Sequence, residues 1–91
     1  MSSLDDVCEQ MRLFDQALRE FNAELRASST ALTRSHEQTS SLWKDAAALR
    51  YLQAYEPLAQ SLDEYLRTAA PRFEQFLQAK VSQLEQYLNG A

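Results

Sequence analysis

Few side chains in this sequence are of the types that do chemistry, and their spacing keeps them apart. His36 is the only histidine. It stands in a Ser- and Thr-rich stretch with no cysteine or carboxylate cluster beside it, so the ligand set of a metal site is missing. Cys8 is the only cysteine, which excludes an intramolecular disulfide and reads as a small hydrophobe at a helix start. Asp63 and Glu64 are consecutive, and on a helix such neighbours point about 100° apart. General acid–base chemistry needs carboxylates that converge on one substrate, so this pair reads as solvated surface. With Gly90 as the single glycine, neither a phosphate-cradling loop nor a nucleophile elbow can be built. No enzymatic activity, metal or cofactor is expected, and the chemistry left is that of helix surfaces.

Composition narrows the class further. The chain has 91 residues, 45% hydrophobic and 24% charged, with 13 acidic against 9 basic residues and a net charge of −4. That is too apolar for a disordered segment and too interrupted by charge for a membrane span. The basic residues are spread along the chain and form no stripe, which argues against nucleic acid as a partner. The start, Met-Ser-Ser-Leu-Asp-Asp, lacks the basic and apolar regions of a signal peptide. The expected location is therefore cytoplasmic, or outside the cell by a route without a cleavable signal.

Two long segments of helical periodicity must position whatever the surface does. Ser3 with Asp6, or Ser2 with Asp5, forms a capping arrangement that opens helix one over about residues 3–36. Its apolar positions run Leu4, Val7, Met11, Phe14, Leu18, Phe21, Leu25 and Leu32, with Ser28 in the missing place. Alternating three and four is the spacing of a helix that packs along a narrow seam. Glu9, Arg12, Asp15, Arg19, Glu20, Glu24 and Arg26 read as the solvated side. A turn is expected over about 37–45, where Ser and Thr accumulate and compete with helix geometry.

Asp45 before Ala46-Ala47-Ala48 reads as the N-cap of helix two, over about 46–89. Its apolar series is Ala48, Tyr51, Tyr55, Leu58, Leu62, Tyr65, Ala69, Phe73, Phe76 and Lys80, resuming at Leu84 and Leu88. A second set, Leu49, Leu52, Leu66, Leu77 and Val81, widens that face beyond what one helix can cover. Pro57 and Pro71 each remove an interior hydrogen bond, at about 3 kcal/mol in an unprepared helix, and mark a kink or boundary. Near Pro71 the spacing slips to four-four, a stutter. One kinked helix is the expectation, with a third helix starting near Pro71 as the alternative. Asn89-Gly90 supplies a left-handed cap after Leu88.

The fold class is therefore all-α: one domain, an antiparallel two-helix hairpin. A hairpin buries one stripe per helix and rarely stabilises itself, so pairing into a four-helix bundle is expected. The residues expected at the partner interface are Leu18, Phe21, Tyr55, Leu58, Leu62, Tyr65, Phe73 and Phe76. The row of aromatic residues Tyr51, Tyr55, Tyr65, Phe73 and Phe76 reads as seam or interface and not as a ligand box.

Between the helices, Leu42-Trp43-Lys44-Asp45 carries the only tryptophan, and Tyr51 follows Trp43 eight residues on. With this length and two amphipathic helices, the chain resembles the Trp-x-Gly family of small type VII secretion proteins, to which the early secreted antigens of mycobacteria belong. Trp43, Asp45 and Tyr51 are the turn-motif residues that the resemblance implies. Asp45 stands where the family has glycine, and both are accepted at an N-cap. Exported members often carry Tyr-x-x-x-Asp/Glu after the second helix, whereas here Tyr87-Leu-Asn-Gly-Ala91 ends in alanine. The resemblance implies a hairpin that dimerises into a four-helix bundle, acting as a small secreted partner or as an export adaptor or chaperone for a larger effector. The partner would be a protein, in a homodimer or a heterodimer. The other reading is a coiled-coil scaffold or regulatory subunit of an intracellular complex.

Overall fold

A computed structural model describes residues 3–90. Ser2 as a candidate cap and the terminal Ala91 lie outside them. The described residues are helical except for the turn between the arms and the last two, Asn89 and Gly90. Helix α1 runs Ser3–Ser40 and α2 runs Ala46–Glu64; a π-turn over Tyr65–Ala69 leads directly into α3, Ala70–Leu88. Helix α1 packs antiparallel against α2 and α3, giving a hairpin 66 Å long and 18 × 16 Å across. No strand occurs among the described residues.

Helix α1 extends past its expected end, to Ser40. The hydroxyls of Thr30, Ser40 and Ser41 bond back to the carbonyls of Arg26, Glu37 and Gln38, so they spend their hydrogen bonds within the helix and do not break it. The turn shortens to Ser41–Asp45, closed by the Trp43 N–H on the Thr39 carbonyl at 2.9 Å. Asp45 caps α2 as expected: its extended backbone lets Oδ1 accept from the Ala48 N–H at 3.0 Å. At the far end Gly90 takes the left-handed φ of 72° after Leu88.

Neither proline breaks the second arm. Helix α2 continues through Pro57. Ahead of Pro71 the chain widens by one residue, and the Ala70 N–H bonds to the Tyr65 carbonyl five residues back. The proline cannot donate to the carbonyl four residues before it and its ring crowds that carbonyl, so the preceding turn is the natural place for an extra residue. This π-turn is the structural form of the four-four slip. The α-helix is thus interrupted just ahead of Pro71, where a kink or boundary was expected, and α3 begins at Ala70.

The seam also differs from expectation. On α1 the side chains turned toward the other arm are Leu4, Cys8, Met11, Asp15, Leu18, Asn22, Leu25 and Ser29. Leu4, Met11, Leu18 and Leu25 belong to the expected set, but Val7, Phe14 and Phe21 are replaced by the neighbouring column, Cys8, Asp15 and Asn22. Cys8 is 1% and Asn22 0% exposed, against 60% for Phe14 and 55% for Phe21. On α3 the seam is Ala70, Glu74, Leu77, Val81, Leu84 and Leu88, and Phe73 and Phe76 stay out, at 53% and 59%. The π-turn explains the second shift. An unbroken α-helix continuing from Leu62 would carry Phe73, Phe76 and Lys80 inward at 3.6 residues per turn, and one extra residue moves the inward column on by about 100°.

Candidate functional site

The hairpin has two unlike edges. One is a polar zipper built on a heptad of arginines, Arg12, Arg19 and Arg26, each of which reaches α3. The Arg12 Nε donates to Glu85 Oε1 at 3.2 Å. Arg19 lies 3.4 Å from the Glu74 carboxylate, donates to the Glu74 carbonyl at 3.3 Å and to Gln78 at 3.1 Å. Arg26 meets the same carboxylate at 3.9 Å. The Glu85 hydrogen bond is the main cause that raises the Arg12 pKa above its ordinary value. These arginines keep 41–47% of their side-chain surface exposed, as expected of a solvated face, and also bridge the arms, because a seven-residue spacing keeps all three at one edge of the contact.

Asn22 stands where that zipper meets the core. Its Nδ2 donates to Glu74 Oε2 at 2.8 Å, and its Oδ1 accepts from the Tyr65 hydroxyl at 2.7 Å. Tyr65 is the first residue of the π-turn. A fully buried amide is tolerated only when so satisfied, and no buried side-chain polar atom is left without a partner among the described residues. Sequence reasoning missed Asn22. The available signal was the seven-residue spacing of Cys8, Asp15 and Asn22, a column adjoining that of Val7, Phe14 and Phe21.

The opposite edge is apolar and open. Phe14, Leu18, Tyr65, Phe73, Phe76 and Leu77 line one groove between the arms, with Arg72 on its rim. Val7, Met11, Phe14 and Leu77 continue it toward the chain ends, past Asp6 and Gln10. Phe14 and Leu77 belong to both stretches, so the groove is continuous. The Lys80 ammonium lies 5.6 Å from the centre of the Phe76 ring, held by the ring's negative face.

Trp43 and Asp45 stand in the turn and Tyr51 in the second turn of α2. The Trp43 and Tyr51 rings are 5.7 Å apart and tilted. Tyr51 approaches His36 Nδ1 with its hydroxyl at 3.4 Å, and His36 stacks on Tyr55 at 4.0 Å and 11°. Instead of standing in a polar turn, His36 is a structural part of this aromatic plug on α1. Tyr55 is thereby taken up inside the hairpin tip. Of the other residues expected at a partner interface, Leu18, Tyr65, Phe73 and Phe76 line the groove, and Phe21 continues its column on α1. Leu58 is exposed on α2 and Leu62 is half-buried. Asp63 binds Arg67 at 3.3 Å on the exposed surface and meets no second carboxylate.

Among the described residues no group of three or more His, Cys, Asp or Glu side chains is placed to hold a metal ion, and no helix is long and apolar enough to cross a membrane. No family model, curated protein or solved structure matches the chain.

Proposed function

We propose that this chain is a protein-binding helical hairpin of the Trp-x-Gly type, a small partner or export adaptor of a type VII-like secretion system. It works by burying the groove around Phe14, Phe73 and Phe76 against helices of another hairpin or of an effector, which completes a four-helix bundle. The observation that carries this reading is the side on which the phenylalanines lie. Four of them stay more than half exposed while a cysteine and an asparagine fill the seam. Contiguous exposed aromatic surface of this kind is the signature of a protein interface. The turn supports the secretion-family part of the reading, since Trp43-Lys44-Asp45 forms the link between the arms and Asp45 caps the second one.

The test measures solution mass by light scattering, helicity across a dilution series and binding of an apolar dye, for the wild type and for Phe14→Glu with Phe76→Glu. The wild type is expected either to assemble beyond its 10.4 kDa or to bind dye strongly as a monomer, and the double variant to lose both while staying helical. A wild-type monomer that binds no dye would sink the proposal. The arginine heptad also suits a coiled-coil scaffold. Co-purification of a second Trp-x-Gly hairpin with the co-expressed chain would set that reading aside.

A further inference from the structure

The chain has two asparagines, and the structure treats them oppositely. Asn22 is followed by Ala23 and is wholly buried, with its Nδ2 donated to Glu74 and its Oδ1 taken by Tyr65. Asn89 is followed by Gly90, and both lie exposed beyond the last turn of α3. The Asn89 side chain makes no hydrogen bond among the described residues. The Gly90 N–H donates to the Tyr87 carbonyl at 3.2 Å, and open space surrounds the place where a Cβ would stand. A helix-end turn of this kind opens at little cost.

An asparagine amide carbon is a weak electrophile, and the backbone nitrogen of the next residue is the nucleophile within its reach. Attack is fast where that next residue has no side chain to crowd the approach. We infer that Asn89-Gly90 is a self-modifying site whose product loosens the end of the hairpin opposite the turn. With the Gly90 N–H released from Tyr87, its nitrogen gives up the proton to solvent base and bonds to Asn89 Cγ. The Cγ–Nδ2 bond breaks, and Nδ2 leaves as ammonia after taking a proton back from solvent. Water then opens the cyclic imide at either of its carbonyls, which leaves aspartate or isoaspartate at position 89. The reaction consumes one water and needs no oxidant or reductant.

The new charge falls where it matters. Asn89 lines one cleft with Asp5, Asp6, Glu9, Glu85 and Arg12. Arg12 is the one cation among them and already meets Glu9 and Glu85 at 3.2 Å each. A carboxylate at 89 competes with Glu85 for Arg12, and it stands at the negative end of the α3 dipole. Isoaspartate also lengthens the backbone beneath the Gly90 cap. All of these weaken the contact between the arms at the end where Cys8 is buried.

The test incubates the full chain in mildly alkaline buffer beside a free peptide Tyr-Leu-Asn-Gly-Ala and samples both over days. Peptide-resolved mass spectrometry follows the amides of Asn89 and Asn22, and labelling of Cys8 by a disulfide reagent follows the opening of that end. Asn89 should convert at a rate within about tenfold of the peptide, while Asn22 keeps its amide. Cys8 labelling should rise about twofold to fivefold as Asn89 converts, and Asn89→Asp should show a rise from the start that shrinks at high salt. Asn89→Gln, which would have to close a larger ring more slowly, should show no rise over the same period. Three results would each overturn the inference: an Asn89 that keeps its amide after the peptide has converted, an Asn22 that converts as fast, or Cys8 labelling that stays unchanged both on conversion and in Asn89→Asp.

Discussion

Asn22 donates to Glu74 Oε2 at 2.8 Å from a position with no exposed surface, and this one bond ties the polar edge of the hairpin to its core. Glu74 is shared. The same carboxylate meets Arg19 and Arg26, while the other side of Asn22 receives the Tyr65 hydroxyl. A buried amide satisfied in only one register disfavours the neighbouring registers, the part that a single asparagine plays in coiled coils. Here the disfavoured arrangement is the more hydrophobic one, with Phe14 and Phe21 turned inward. The polar network therefore sets which column of α1 remains outside.

Asn22→Ala follows directly. It leaves the Tyr65 hydroxyl without its partner, removes one bond from Glu74 and opens a small cavity, together costing about 2 kcal/mol. Urea unfolding followed by circular dichroism would measure it. A loss below about 0.5 kcal/mol would mean that water replaces the amide at no cost and that Asn22 does not set the register.

How much of this the sequence displays depends on what periodicity can record. Alternating threes and fours place both helices, the capping Asp45 and the Trp43 turn, because local propensity and tertiary packing agree there. They leave the seam ambiguous on α1. Leu4, Met11, Leu18 and Leu25 fit two stripes equally well, one completed by Val7, Phe14 and Phe21 and the other by Cys8, Asp15 and Asn22. Hydrophobicity favours the first. The structure uses the second, because Asn22 and the arginine heptad find partners on α3 that no single-helix pattern can reveal. The same holds for Pro71, where the four-four slip marks an irregularity whose form as a π-turn depends on the packing of the other arm.

Deleting Thr68 should convert the π-turn to α-helix without turning the faces of α3. The bond from Ala70 to the Tyr65 carbonyl would then span four residues instead of five, and Ala70, Glu74, Leu77 and Val81 would keep facing α1. The deletion also removes the bond of the Thr68 hydroxyl to the Glu64 carbonyl, which lies on the exposed surface. The expected thermal midpoint equals or exceeds the wild type, whereas deleting Ala79 should lower it by turning Val81 and Leu88 out of the seam. Equal damage from both deletions would show that the π-turn is not an inserted residue.

The turn can be tested at its cap. Asp45→Ala removes the acceptor for the Ala48 N–H and should cost about 1 kcal/mol, while Asp45→Gly should cost only a few tenths. Chemical denaturation of the three proteins ranks them. A glycine variant weaker than the alanine variant would contradict the assignment of Asp45 as an N-cap.

Cys8 offers a measurement on the unmodified chain. Its thiol is 1% exposed, on the seam side of α1 close to Arg12, Glu85 and Leu88. Reagent can reach it only when the chain ends of the two arms part, so the labelling rate reports that opening and not the intrinsic reactivity of the thiol. Labelling by a disulfide reagent should be slower than that of an unfolded control by the factor set by the opening equilibrium. It should not change in Asp45→Ala if the tip and the chain ends open independently, and it should accelerate in Arg12→Ala, which removes the ion pair to Glu85 that crosses the arms at that end. Exposed pairs of this kind contribute up to about 1 kcal/mol, so the acceleration should stay within about fivefold. Labelling as fast as in the unfolded control would mean that the ends of the hairpin are not closed, and that Cys8 does not pack in the seam.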